Sequence, residues 1–222
     1  MKKVLSIFSI LLLFFLLTSK ESFAQFKLQI GANTGMNFNI ISGSDLDDSM
    51  NGFGMLIGGT VDMSFTPTIG LITNLQFYDN RSGSNSIEGT TQNINYTVEN
   101  SLSLAYFVIE PLLKIKVPGS GFYFITGFGA GFNVEGSTET SVKSANDQIT
   151  FQDGSTKSKS SLKETLVRFA IKGGAGYDIV LSPLVTLTPQ LGFEYGITKI
   201  ISDFEARALS IQTTATVKFR LI

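Results

Sequence analysis

Leu209-Ser-Ile-Gln-Thr-Thr-Ala-Thr-Val-Lys-Phe-Arg-Leu221 alternates from end to end. Leu209, Ile211, Thr213, Ala215, Val217, Phe219 and Leu221 form one set. Ser210, Gln212, Thr214, Thr216, Lys218 and Arg220 form the other. A period of two places the sets on opposite faces of an extended strand, one apolar and one polar. A strand of a soluble sandwich reads the same way, so the weight falls on how often the pattern recurs and on what precedes it.

It recurs seven times upstream. Residues 26–40 set Phe26, Leu28, Ile30, Met36 and Phe38 against Lys27, Gln29, Asn33, Asn37 and Asn39. Residues 53–65 set Met55, Ile57, Val61 and Met63 against Gly54, Thr60, Asp62 and Ser64, and residues 69–79 set Leu71, Leu75 and Phe77 against Asn74, Gln76 and Tyr78. In 102–117, Phe107, Ile109, Leu113 and Ile115 oppose Glu110, Lys114 and Lys116. In 122–134, Phe122, Phe124, Phe128, Phe132 and Val134 oppose Gly127, Gly129, Gly131 and Asn133. Residues 166–181 carry Arg168, Lys172 and Asp178 opposite Phe169, Ile171 and Tyr177, and 185–198 carry Glu194 opposite Leu191, Phe193 and Tyr195.

The connections alternate. Thr66-Pro67-Thr68, the Pro118-Gly119-Ser120-Gly121 stretch and Ser182-Pro183-Leu184 are tight, with Pro or Gly setting the turn. Residues 42–52, 80–101, 135–163 and 202–206 are longer and polar. An even strand count with short and long connections in turn is the layout of an all-β, eight-stranded antiparallel up-and-down transmembrane β-barrel, with short turns in the periplasm and long loops outside. In lipid every backbone polar group must pair internally, which a closed sheet achieves.

The N-terminus agrees. Lys2 and Lys3 precede an apolar run over residues 4–17 and a small-x-small stretch at Ser22-Phe23-Ala24. This pattern is that of a secretory signal peptide over residues 1–24 with cleavage near Ala24, and leaves 25–222 as one barrel domain. The run is shorter than the roughly 20 residues of a spanning helix. With no Cys in the chain, a lipoprotein anchor is excluded, and an exported fold must hold without disulfides. Removing 1–24 takes three basic residues and one acidic one from the full chain's 17 and 18, leaving a net charge of −3. So small a charge does not suggest a nucleic-acid partner.

The alternation places Lys27, Asp62, Glu110, Lys114, Lys116, Arg168, Lys172, Asp178, Glu194, Lys218 and Arg220 inside. An eight-stranded barrel encloses little more than its own side chains. Charges held there must pair, and a structural salt-bridge network filling the lumen is the expectation. Seven are basic and four acidic, so the excess is expected near a mouth, in water. The glycines of Gly127-x-Gly129-x-Gly131 and Gly173-Gly174-Ala-Gly176 keep strand alternation and are read as room for long Lys and Arg side chains, not as phosphate loops. Pro111 and Pro189 cannot donate to a ladder, so a bulge or kink is expected at each.

No catalytic, cofactor or metal site is expected. With no His and no Cys, a Ser-His-Asp triad and the usual zinc sites are absent. Asp45, Asp47 and Asp48 lack an EF-hand's Gly and terminal Glu, and read as a solvated acidic loop. The aromatics Phe38, Phe65, Tyr78, Tyr123, Tyr177, Phe193, Tyr195 and Phe219 tend toward strand ends, where interfacial girdles belong.

Tyr106-Phe-Val-Ile-Glu-Pro-Leu-Leu-Lys114 resembles the characteristic strand of the PorT-like outer-membrane β-barrel family of Bacteroidetes-type bacteria. The opening strand of Gly31-Ala-Asn-Thr-Gly-Met-Asn-Phe38 type, the Gly-rich strand after Pro118 and the alternating C-terminus extend the resemblance over the mature chain. Glu110 and Pro111 are adjacent here, where the family more often has an intervening Ile. The resemblance implies a small non-enzymatic barrel of the bacterial outer membrane, in contact with outer-membrane lipid, and some relatives support protein secretion. The expected partners are the barrel-assembly machinery, through the C-terminal strand with Phe219 near its end, and a protein at the long loops. The expected role is structural or interaction-based through the long extracellular loops, in envelope integrity, adhesion or assistance to secretion; the alternatives are a narrow channel and a soluble periplasmic lipocalin-like carrier.

Overall fold

The computed structural model describes residues 26–44, 48–91, 94–145, 148–162, 167–200 and 205–221. The expected signal peptide and its cleavage site, and Asp45 and Asp47, lie outside these residues. Ten strands are formed: β1 (Lys27–Gly43), β2 (Met50–Ser64), β3 (Ile69–Thr91), β4 (Ile94–Lys116), β5 (Phe122–Ser144), β6 (Lys157–Ser161), β7 (Arg168–Tyr177), β8 (Ile179–Val180), β9 (Val185–Gly196) and β10 (Ala206–Arg220).

Eight of them, β1–β2–β3–β4–β5–β7–β9–β10, pair in that order, every pair antiparallel. The ring closes because β10 also pairs β1, with Ile30 opposite Phe219 and Asn39 opposite Ser210. The fold is therefore the eight-stranded up-and-down barrel that the alternation implies. β8 continues the line of β7 past Asp178 in unchanged register against β9, and β6 is added to the far end of β5.

At the tight-turn end, Thr66 Oγ1 accepts hydrogen bonds from the amides of Thr68 and Ile69, Gly119 takes φ 72°, and Ser182 Oγ accepts from the amide of Val185. The opposite end differs from expectation. Residues 80–101 are not an irregular loop: β3 and β4 run on as a hairpin, paired as far as Thr91 opposite Ile94. Much of 135–163 is likewise strand, in β5 and β6. Ser, Thr and Asn occupy both faces here, so no hydrophobic alternation marks these strands in the sequence, although their backbones are paired with at least one neighbour.

Two bulges change which side chains point inward. One extra residue in β3 at Phe77–Tyr78 shifts the register against both β2 and β4, and another in β5 at Val134 shifts it against β4. Neither is at a proline. Register passes unchanged through Pro111 and Pro189, and the ladder is instead interrupted on the side where each lacks a donor, toward β5 and β7 respectively.

Outside, Phe53, Phe77, Phe124, Phe128, Phe169, Leu191, Phe193 and Ile211 stand exposed in a band around the ring. Phe77 stacks on Phe107 with centroids 6.4 Å apart, and Phe38 meets Phe53 at 5.0 Å. Tyr123 does not join this girdle; it turns inward and is fully buried.

Candidate functional site

The lumen is built in layers. Nearest the tight turns, Lys114 Nζ donates to Asp62 Oδ2 at 2.8 Å and to Asp178 Oδ2 at 2.7 Å. Lys218 Nζ donates to the same two carboxylates, both at 2.7 Å. The Tyr123 ring lies 4.2 Å from Lys114 Nζ, a cation–π contact. A Cβ on Gly176 would fall 2.4 Å from the Tyr123 hydroxyl, so the absence of a side chain there is what admits the ring.

In the middle, Lys172 Nζ donates to Glu110 Oε2 at 2.7 Å. A chain of neutral donors reaches the same carboxylate: Asn33 to Thr60, Thr60 to Asn74, and Asn74 to Glu110 Oε2. Above it, Arg81 bridges Asp79 at 2.6 Å and Glu194 at 3.1 Å, and Arg168 pairs with Glu194 and approaches Asp79 at 3.9 Å. Asn37 donates to Asp79 and Gln212 to Glu194.

Each layer is neutral. Arg81, Arg168, Lys172, Lys114 and Lys218 face Asp79, Glu194, Glu110, Asp62 and Asp178, five cations against five carboxylates. All but Asp178 are fully buried. Desolvating a charge is costly unless a partner compensates, and here each ion has an opposite charge within 4 Å, to which Asn37, Asn74, Thr188 and Gln212 add hydrogen bonds on the carboxylates.

The eleven side chains assigned inward by alternation separate into two groups. Asp62, Glu110, Lys114, Arg168, Lys172, Asp178, Glu194 and Lys218 stand in these layers. Lys27 and Arg220 are exposed, and Lys116 is half-buried with Nζ on Ser64 Oγ at 2.6 Å. These three sit together at the tight-turn mouth, lining one cavity of about 430 Å³.

Asp79 and Arg81 belong to the network and are missed by strict alternation. The β3 bulge puts adjacent Phe77 and Tyr78 both outside and reverses the phase, so that odd residues point inward beyond it. Two neighbouring aromatics followed by Asp-x-Arg is the sequence signal that marks it.

The lumen is not polar throughout. Beyond the arginine layer it fills with Ile41, Met50, Leu102, Leu104, Tyr106, Ile200, Ala206 and Ala208, buried as one cluster. A filled lumen was expected to be polar; at the hairpin end an apolar plug replaces charge, because the inward residues of mid-β4, Leu102, Leu104, Tyr106 and Val108, are apolar. A cavity of about 350 Å³ opens beside it, lined in part by Ile41, Met50, Leu102 and Leu162.

Above the plug, β3, β4, β5 and β6 continue past the rest of the ring as one sheet. Its outer face is hydrophilic, with Ser101, Ser103, Glu135, Ser137, Glu139 and Lys159 around a groove of about 320 Å³. Glu99, hydrogen-bonded by Lys143, titrates below the usual carboxylate range because that ammonium favours its ionised form.

The model of the outer membrane protein beta-barrel domain family matches residues 23–202. No curated protein matches the sequence. Among solved structures the chain is similar to Ail, the attachment invasion locus protein of Yersinia pestis, crystallised with the heparin analogue sucrose octasulfate: 11% identity, TM-score 0.44, covering 87% of this chain and 99% of that one. It is similar also to the outer membrane protein OprG from Pseudomonas aeruginosa, at 8% identity and TM-score 0.42 over 88% of this chain and 95% of that one. Neisserial surface protein A is similar at 14% identity and TM-score 0.36, over 86% and 96%.

Proposed function

The chain belongs to the outer membrane protein beta-barrel domain family, and on that premise we propose that it is a non-enzymatic barrel whose lumen is a structural core and whose task is recognition by the sheet it holds outside the cell. The bacterial outer membrane is its location, with the exposed aromatic and aliphatic band against lipid. The soluble-carrier alternative has no place there. A PorT-like assignment within the family, a signal peptide over residues 1–24, and delivery through the barrel-assembly machinery by the β10 strand complete the reading.

One observation carries it. The extended strands end in unpaired backbone edges: β3 loses β2 after Asn51 opposite Ser84, and β6 is paired on the β5 side alone among the described residues. An open edge in water is a template for an added strand, and strand addition is a general mode of protein recognition. The neutral layers and the apolar plug argue against a channel, since an ion crossing them would displace paired charge. Among the described residues every buried carboxylate is engaged by a cation, which argues against a catalytic acid or base in the lumen.

The test is site-specific photocrosslinking in living cells, with the probe at Ile87 on the extended β3, at Lys159 on β6, and at lipid-facing Phe128. Protein adducts at the first two positions and none at the third are expected. Adducts at none of the three, or stepwise conductance from the purified barrel in planar bilayers, would overturn the reading.

A further inference from the structure

The five-against-five balance of the buried layers leaves a remainder. Lys27, Lys116 and Arg220 point into the lumen at its tight-turn mouth, and none of them is in an ion pair among the described residues. They come from three strands, β1, β4 and β10, and line one cavity of about 430 Å³ together with Gln29, Ser64 and Thr186. The one carboxylate on its wall among the described residues, Asp178, already accepts from Lys114, Lys218 and Thr188 and is neutralised from inside. Among the described residues the cavity is thus walled by three cations without an ion-pair partner, with neutral hydrogen-bonding groups between them. Self-repulsion of like charges around one hollow is unfavourable, and a bound anion relieves it.

We propose that this mouth, periplasmic in an outer-membrane barrel, is a binding site for a phosphoryl group. Three positive charges around one hollow suit an anion carrying more than one charge. A phosphate monoester, at about −1.5 to −2, meets that requirement where a single carboxylate does not. Arg220 presents the planar fork that pairs with two phosphate oxygens, and the two ammonium groups complete the shell. The phosphoryl group comes from one of two sources on this side: a soluble periplasmic phosphate monoester, or the monoester headgroup of phosphatidic acid in the inner leaflet, bending over the rim.

The test uses the mature barrel in phosphatidylcholine nanodiscs, titrated calorimetrically with tripolyphosphate. One saturable site per barrel is expected. The K27Q/K116Q/R220Q variant should bind about tenfold more weakly or worse. K157Q/K159Q, which removes two lysines at the opposite end, should bind as the parent does, and an unchanged boiling-dependent mobility shift in SDS verifies that both variants remain folded. No saturable binding, or an equal loss in both variants, would overturn the proposal. Repetition in nanodiscs containing phosphatidic acid separates the sources: a competitive loss of tripolyphosphate affinity assigns the site to the lipid headgroup, and an unchanged affinity assigns it to a soluble ligand.

Discussion

Lys114 and Lys218 share Asp62 and Asp178 in a square of four contacts at 2.7–2.8 Å, so the consequence of one deletion can be argued closely. Asp62→Ala leaves two ammonium groups on one carboxylate. Breaking a buried pair by removing one partner costs about 3–5 kcal/mol, and that loss is expected in urea unfolding of the detergent-solubilised barrel. Adding Lys218→Met should recover much of it, since Lys114 then retains Asp178 as a private partner. Equal stability of single and double variants would show the layer to be uncoupled. Glu99 is the exposed counterpart, held below its ordinary pKa by Lys143. Its contribution is complete above the unfolded pKa and is lost as pH falls through the lower, folded one. The carboxyl carbon of Glu99, followed by NMR, should titrate below 4.5 in the parent and closer to 4.5 in Lys143→Met.

The strands differ in how plainly the sequence announces them. Below Phe77 and Phe107, apolar and polar residues alternate because lipid lies on one side and charge on the other, and the period of two follows from that contrast. Above them water lies outside, Ser and Thr serve either face, and the contrast vanishes; hence the hairpin over 80–101 reads as loop although it is paired throughout. The bulge at Phe77–Tyr78 is the second illegible feature: a single added residue reverses every later side chain in β3, and period counting carries no record of it. Pro111 shows the converse, a residue that signals disruption yet sits in an unbroken register because the gap falls on one side of it. The boundary between the two regimes is measurable. Arg at Phe128, which is 63% exposed on the lipid band, should destabilise by about 2–4 kcal/mol in lipid-vesicle refolding. Arg at Ser101 on the extended sheet should change stability by less than about 0.5 kcal/mol. Similar costs at both sites would mean that the membrane covers the sheet.

For the whole molecule, the closed ring predicts resistance to SDS until heating. Unboiled envelope protein should migrate differently from boiled protein, and the absence of any shift would count against a stable closed barrel. Eight of the eleven inward charges named from alternation do occupy the buried layers, because alternation is a property of the ring as a whole. The three that do not lie where strands end, at positions set by the closing geometry of three different strands. Asp79, Arg81, the apolar plug and Tyr123 depend on bulges and on contacts across the lumen, which pair residues remote in the chain.

That remoteness has a consequence for assembly. Lys218 and Asp62 are 156 residues apart, and Arg81 and Glu194 are 113 apart. No contiguous half of the chain can therefore neutralise its own interior. Until the last strand arrives, the nascent sheet carries Asp62 with one of its two lysines missing, and the intermediate is electrostatically unfit for lipid. Seam closure and the cancellation of that charge therefore coincide, because Lys218 reaches Asp62 from the strand that closes the ring on β1.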